Sequence, residues 1–140
     1  MKTYRSALVA LFFLLIPPSI LAVNDFWLGY HYSIGVSFSG KYEPDIDPPR
    51  LNALPMPSYP IELLRAAVQG NTVIEFVVKE NGAVTNISVS RADAKEFGEE
   101  AKKVIAGWLF TPAKNRSSGK ATAVRMECIF DFKLDEKTNK

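Results

Sequence analysis

The sequence predicts an α+β domain in which a three-stranded antiparallel sheet carries two helices on one face, in the chain order helix, strand, strand, helix, strand. Two strand-like segments joined by an Asn-Gly pair indicate a β-hairpin. An apolar stripe at helical spacing follows them, and a long alternating segment comes last. The chain has 140 residues, 47% hydrophobic and 23% charged, which fits one globular domain.

Residues 1–22 are predicted to be a targeting segment. Lys2 and Arg5 precede the apolar run Ala7 to Ile16, and Ala22 ends a candidate cleavage site. A run of this length is short for a membrane span and typical of a signal peptide. The alternative is an uncleaved membrane anchor from Ser6 to Val23, kinked at its two prolines.

Charge and residue counts exclude several classes of function. Lys2 and Arg5 are two of the 17 basic residues, so the rest of the chain holds 15 basic and 15 acidic residues and lacks the charge excess of a nucleic-acid-binding protein. Cys128 and His31 are the single cysteine and histidine, which excludes an intramolecular disulfide and a cysteine-cluster metal site. Phosphate-loop and hydrolase motifs are absent. We therefore expect no catalytic residues, no cofactor and no metal.

Residues 23–56 are predicted to hold a strand and a linker. From Leu28 to Phe38, large apolar residues alternate with small or polar ones. This strand would need the domain, a partner or the membrane surface to cover its apolar face. Gly40 to Pro57 contains five prolines, which predicts an extended linker.

The first helix is expected to begin at Pro60, where a missing N–H costs nothing. Ile61, Leu64 and Val68 follow at helical spacing, and Gly70 is the predicted stop. These residues open the predicted domain, residues 57–134.

A hairpin follows this helix. Asn71 to Lys79 and Val84 to Ser90 are the predicted strands, and both positions of Asn81-Gly82 tolerate positive φ. Val84 is out of phase with the later apolar residues of its strand, which predicts a bulge at Thr85-Asn86.

The second helix is predicted over Ala94 to Ala106, with Asp93 and Glu96 as a capping box. Its buried stripe consists of Phe97, Ala101, Val104, Ile105 and Trp108.

The last strand is predicted over Thr122 to Leu134, with Cys128 on its apolar face as a buried, unreactive residue. Residues 135–140 are expected to be a frayed, charged tail.

Several motifs together resemble the C-terminal domain of the TonB energy-transducer family over Pro57 to Leu134. They are Tyr59-Pro60 at the domain entrance, Gly70 before a strand, the Asn81-Gly82 turn, and Trp108-Leu109-Phe110-Thr111-Pro112 after the second helix. The same residues also suit purely structural roles in the core and at element ends.

The resemblance implies a periplasmic protein-binding module that captures an extended segment, the TonB box, of an outer-membrane transporter or other envelope protein. Capture would occur by strand addition at the exposed edge of the last strand. The implied partner-binding residues are Tyr59, Pro60, Cys128, Ile129, Phe130, Asp131, Phe132, Lys133 and Leu134.

Two departures from the family pattern bear on energy coupling. The linker is short, and residues 1–22 contain no histidine, which energy-coupled members carry in the anchor helix. Besides the soluble periplasmic module, two alternatives therefore stay open. One is an inner-membrane-anchored transducer that couples proton motive force to transport, and the other is a module that pairs with itself as a homodimer.

Overall fold

A computed structural model of the protein describes residues 32–135. The predicted leader, the start of the aromatic strand with Leu28 and His31, and residues 136–140 lie outside the described residues. Between residues 32 and 135, no helix is both long and apolar enough to cross a membrane.

The main sheet has four antiparallel strands in the order β1-β9-β4-β5, and two small sheets, β2-β7-β8 and β3-β6, flank it. The α+β class is confirmed, and the sheet has one strand more than predicted because the N-terminal strand joins it. The elements are β1 (Tyr32–Ser39), β2 (Ile46–Asp47), β3 (Arg50–Leu51), α1 (Ile61–Arg65), β4 (Gly70–Val78), β5 (Val84–Ala92), α2 (Lys95–Ile105), β6 (Phe110–Thr111), β7 (Ala113–Asn115), β8 (Ala121–Thr122) and β9 (Val124–Leu134).

The core lies between the main sheet and the helices. Alternate residues of β4 and β9 are buried against α1 and α2, as period-two strands with one apolar face require. The predicted helical stripe is confirmed, with Val104 partly buried at its margin. The largest fully buried side chains include Trp108, Phe76, Phe97, Phe130, Phe132, Leu64, Ile74 and Ile105.

The β4–β5 hairpin forms where it was predicted, but its turn differs. Gly82 has φ +83° while Asn81 is not left-handed, so the pair is not a turn with positive φ at both positions. The Gly82 N–H donates to the Lys79 carbonyl oxygen at 2.9 Å, and the Asn81 side chain accepts from the Ala83 N–H at 3.0 Å. This hydrogen-bond pattern is a turn followed by a left-handed glycine.

The predicted bulge is present in β5. Asn86 has φ +51°, and the β4–β5 register shifts between Glu75 and Val77, which pair with Ser88 and Thr85. The extra residue explains why Val84 is out of phase with the rest of its strand.

The first helix is shorter than predicted, since α1 ends at Arg65 and not before Gly70. Ala67 takes a left-handed conformation, φ +54°, and the N–H groups of Ala67 and Val68 donate to the carbonyl oxygens of Leu64 and Leu63. This is the Schellman arrangement, with alanine where glycine is usual. Val68, whose spacing predicted a longer helix, follows the end of α1 and is 38% exposed.

The predicted capping box at α2 is wrong. The N-cap is Ala94, and no side chain caps the helix. Asp93 Oδ2 instead accepts a hydrogen bond from the Asn71 N–H at 2.8 Å, which ties the start of β4 to the end of β5. The Asp93 carboxylate, which the local spacing predicted as a helix cap, therefore binds the neighbouring strand β4 instead.

The proline-rich segment is fixed to the domain, although the sequence predicted a linker. β2 and β3 pair with β7 and β6, so residues 46–51 run along the helix-to-strand connection. We call the five side chains that hold this segment the polar clasp: Asp45, Asp47, Asn115, Arg116 and Ser117. Asp45 Oδ2 accepts from Asn115 Nδ2 at 2.9 Å and Ser117 Oγ at 2.7 Å, and Asp47 Oδ1 accepts from Arg116 Nε at 2.7 Å. The bond to Asp47 raises the pKa of Arg116.

Candidate strand-binding edge

The strand predicted to bind a partner, β9, is an inner strand of the sheet. It pairs with β4 along one side, from Gly70↔Phe132 to Val78↔Val124. It pairs with β1 along the other side, from Tyr32↔Leu134 to Ser39↔Glu127. The edge that the family resemblance assigned to a ligand is therefore covered by the chain's own N-terminal strand.

The backbone groups of β9 that face β1 can be identified from their neighbours. The Asn71 carbonyl oxygen accepts from the Asp93 N–H at 2.9 Å, so Asn71 faces β5 and Gly70 faces β9. The Leu134 N–H also points to the β4 side, where it donates to Gln69 Oε1 at 2.7 Å. Because successive residues of a strand direct their N–H and C=O groups to opposite edges, the backbones of Phe130 and Phe132 face β4. The backbones of Ile129, Asp131 and Lys133 face β1.

The side chains of β9 are divided between the core and the opposite face of the sheet. Cys128, Phe130 and Phe132 are fully buried on the helix side. Ile129 and Asp131 are half-buried on the other face, and Lys133 is exposed, while Leu134 is half-buried at the strand end. Burial raises the pKa of the Cys128 thiol to about 12, so this cysteine is an unreactive core residue. What β9 offers a partner is therefore mainly its backbone.

Tyr59 packs against both β1 and β9. Its side chain is buried, and its ring makes edge contacts with Tyr32 of β1 at 5.1 Å and Phe132 of β9 at 5.4 Å. The hydroxyl donates to the Val68 carbonyl oxygen at 2.6 Å, and burial raises the Tyr59 pKa. Pro60 is the N-cap of α1, and its carbonyl oxygen accepts from the Leu64 N–H. The structure thus brings Tyr59 to the edge and gives Pro60 a helix-starting role.

β1 is the part of this site whose location the sequence did not predict. Its inward residues Tyr32, Ile34 and Val36 are half-buried, and Phe38 is 40% exposed. Phe38 contacts the Trp108 ring at 5.6 Å, and Ser39 Oγ donates to Glu127 Oε1 at 3.2 Å. The alternation along Leu28 to Phe38 predicted a strand whose apolar face must be buried. It did not predict which strand it would pair with.

No group of three or more His, Cys, Asp or Glu side chains is placed to hold a metal ion within residues 32–135. The chemistry of the described site is that of backbone hydrogen bonding along a strand and apolar contact beneath it.

The comparisons with known proteins identify the family. Residues 55–134, more than half of the chain, match the family described as Gram-negative bacterial TonB protein C-terminal. The chain therefore belongs to this family and carries a TonB-type C-terminal domain.

Two individual proteins are similar to this chain. "Protein TonB" of Yersinia enterocolitica is 34% identical over 55 residues, which cover 39% of this chain and 22% of that protein, so the match spans about a fifth of the relative's length. The solution NMR structure of the Pseudomonas aeruginosa TonB C-terminal domain aligns with a TM-score of 0.54 at 24% identity and covers 71% of this chain and 97% of that one. At that identity the second match supports the fold.

Proposed function

We propose that this domain is a non-enzymatic binding module of the cell envelope that captures an extended segment of another envelope protein, foremost an outer-membrane transporter. The segment adds as a strand beside β9. The observation that carries the proposal is the row of β9 backbone groups at Ile129, Asp131 and Lys133, which point away from β4 on a strand whose aromatic side chains already fill the core. Backbone pairing supplies affinity in this mode of recognition, and alternate side chains supply specificity.

The proposed location is the periplasm, after cleavage of the leader near Ala22-Val23. The second candidate, an anchored energy transducer, retains residues 1–22 in the inner membrane. N-terminal sequencing of the exported protein separates the two. A first residue near Val23 supports the soluble module, whereas intact Met1 in a carbonate-washed membrane fraction supports the transducer.

The position of capture is tested by single-cysteine cross-linking. Lys133→Cys places a thiol at an exposed position of β9, and Ser88→Cys is the matched control on the exposed face of β5. The probes are cysteine-containing synthetic peptides with the TonB-box sequences of the outer-membrane transporters of the same bacterium. We expect disulfide capture at Lys133→Cys and not at Ser88→Cys.

Three other results would contradict this proposal. Capture at Ser88→Cys would place the binding site on β5. Capture at neither position would mean that the peptides do not add as a strand to this sheet. A homodimer in light scattering that persists with saturating peptide would favour the self-pairing alternative. Cross-linking is a sharper test than Asp131→Pro. The Asp131 N–H faces β1, and a ligand strand in the place of β1 would use the same N–H. Proline would therefore disturb the fold and the binding together.

A further inference from the structure

β1 lies on the same β9 backbone groups that the proposed ligand would use. The pairing is antiparallel and unbroken, with Ile34 opposite Phe132, Gly35 opposite Asp131 and Val36 opposite Phe130. A second strand cannot occupy this edge while β1 is in place, because each strand has only one set of backbone groups on each side.

β1 is less buried than the two inner strands of the main sheet, as is the other edge strand, β5. None of its eight residues is buried, whereas four alternate residues are buried in each of β4 and β9. Gly35 lies in the middle of β1, where a glycine weakens a strand because it has no side chain to pack. Segments with few buried apolar contacts open at a lower free energy than the core.

The chain after β1 is anchored independently of β1. The polar clasp and the β2–β7 ladder hold residues 45–47, so residues 40–44 connect β1 to a fixed point. A β1 strand that leaves β9 therefore stays close to its site, and a short tether keeps its effective concentration high.

We propose that β1 is a displaceable internal occupant of the ligand edge, and that its own pattern describes the segment which this edge accepts. This inference rests on the proposed strand-capture function and specifies its ligand. The captured segment runs antiparallel to β9. It carries apolar side chains at the places of Ile34, Val36 and Phe38, which lie beside Phe132, Phe130 and Cys128. Its intervening residues are small, as Ser33, Gly35 and Ser37 are.

A reversible lock tests whether β1 must leave. A Cβ at Gly35 would lie 3.6 Å from the Asp131 Cβ, within the roughly 3.5–4.5 Å separation that disulfides require. Gly35→Cys combined with Asp131→Cys should therefore cross-link β1 to β9 in the full chain, and a reducing agent should release it. Gly35→Cys alone is the matched control, and buried Cys128 stays unchanged in both proteins.

The probe is a fluorescent synthetic peptide with the sequence Tyr32–Ser39, measured by anisotropy. The wild type and the reduced double variant should bind it, and oxidation of the double variant should weaken binding at least about tenfold, since a state that cannot open lowers apparent affinity. A peptide of the same composition with its apolar residues grouped together should bind far more weakly than the alternating one.

Measurable binding that is equal before and after oxidation would overturn the inference. So would a wild-type protein that takes up no β1 peptide at about millimolar concentration, the range of effective concentration that a short tether gives β1. Hydrogen exchange on the wild type decides the matter independently of the lock. We expect the amides of Ile129, Asp131 and Lys133 to exchange at least about tenfold faster than those of Phe130 and Phe132, and equal rates would contradict a displaceable β1. If the β1 peptide binds but no transporter peptide does, the inference stands and the proposed function fails.

Discussion

The indole Nε1 of Trp108 donates a hydrogen bond to the carbonyl oxygen of Pro55, 53 residues earlier in the chain, at 3.1 Å. The Trp108 ring itself is 1% exposed and contacts the rings of Phe76, Phe110 and Phe130. One side chain therefore joins the proline-rich segment to the core. It also supports Phe38 at the end of β1.

Replacing Trp108 should test both roles. Trp108→Ala should lower the free energy of unfolding by about 3–5 kcal/mol, because it leaves a cavity among packed rings. Trp108→Phe keeps an aromatic ring and removes the N–H, so it should cost less and mainly loosen residues around Pro55. Urea denaturation checks the first effect and hydrogen exchange near Pro55 the second. An unchanged urea midpoint in Trp108→Ala would show that Trp108 does not contribute to the stability of the core.

The sequence predicts the parts of this fold that depend on local patterns. The hairpin, the α2 stripe and the burial of Cys128 follow from side-chain period and turn chemistry, and the structure confirms them. The pairing of β1 with β9 could not be predicted, since strands about a hundred residues apart are matched by the whole sheet and not by their own alternation. Asp93 and Asp45 show the same limit, because each carboxylate is used by a donor distant in sequence.

Two glycines with positive φ allow the cost of backbone strain to be measured separately from the cost of a steric clash. Gly82 and Gly119 have φ of +83° and +68°, but a Cβ at Gly82 would lie 1.9 Å from the Phe110 carbonyl oxygen, while a Cβ at Gly119 would meet nothing within 4 Å. Gly119→Ala should therefore cost about 1 kcal/mol, the penalty of a left-handed alanine. Gly82→Ala should cost clearly more, because the Gly82–Phe110 backbone contact must also move.

Thermal unfolding of the two alanine variants beside wild type measures this difference. Gly82 also accepts a hydrogen bond from the Phe110 N–H at 2.9 Å, so the shift should loosen β6 together with the hairpin. Equal melting temperatures for the two variants would mean that the hairpin moves away from Phe110 without cost.

Cys128 should make stability depend on alkaline pH. Burial raises its pKa from 9.0 to about 12, so the fold favours the neutral thiol. The contribution is complete below the ordinary pKa near 9 and is lost as pH rises from there toward 12. Cys128→Ala lacks this titration but keeps every other group. The difference in unfolding free energy between wild type and Cys128→Ala should therefore narrow above pH 9 in urea titrations, and a constant difference from pH 7 to 10.5 would contradict the assignment.

Strengthening β1 should weaken ligand capture even though no residue of β9 is changed. Gly35 lies in the middle of β1 on the face away from the helices, and a Cβ there makes an ordinary contact with Asp131. Gly35→Thr replaces a poor strand residue with a β-branched one, worth up to about 1 kcal/mol in strand propensity. If β1 competes with the captured segment, that preference should appear as an apparent Kd a few-fold weaker.

The same samples provide the internal check. Amides of β1 should exchange more slowly in Gly35→Thr, by the same factor that weakens binding of the Tyr32–Ser39 peptide. Ser88→Thr makes a similar substitution on the exposed face of β5 and should change neither quantity. Slower exchange with unchanged affinity would show that β1 is a fixed part of the sheet and that ligands bind elsewhere. Equal changes in β1 amide exchange and in peptide affinity would show that the stability of β1 determines how tightly β9 binds a ligand strand.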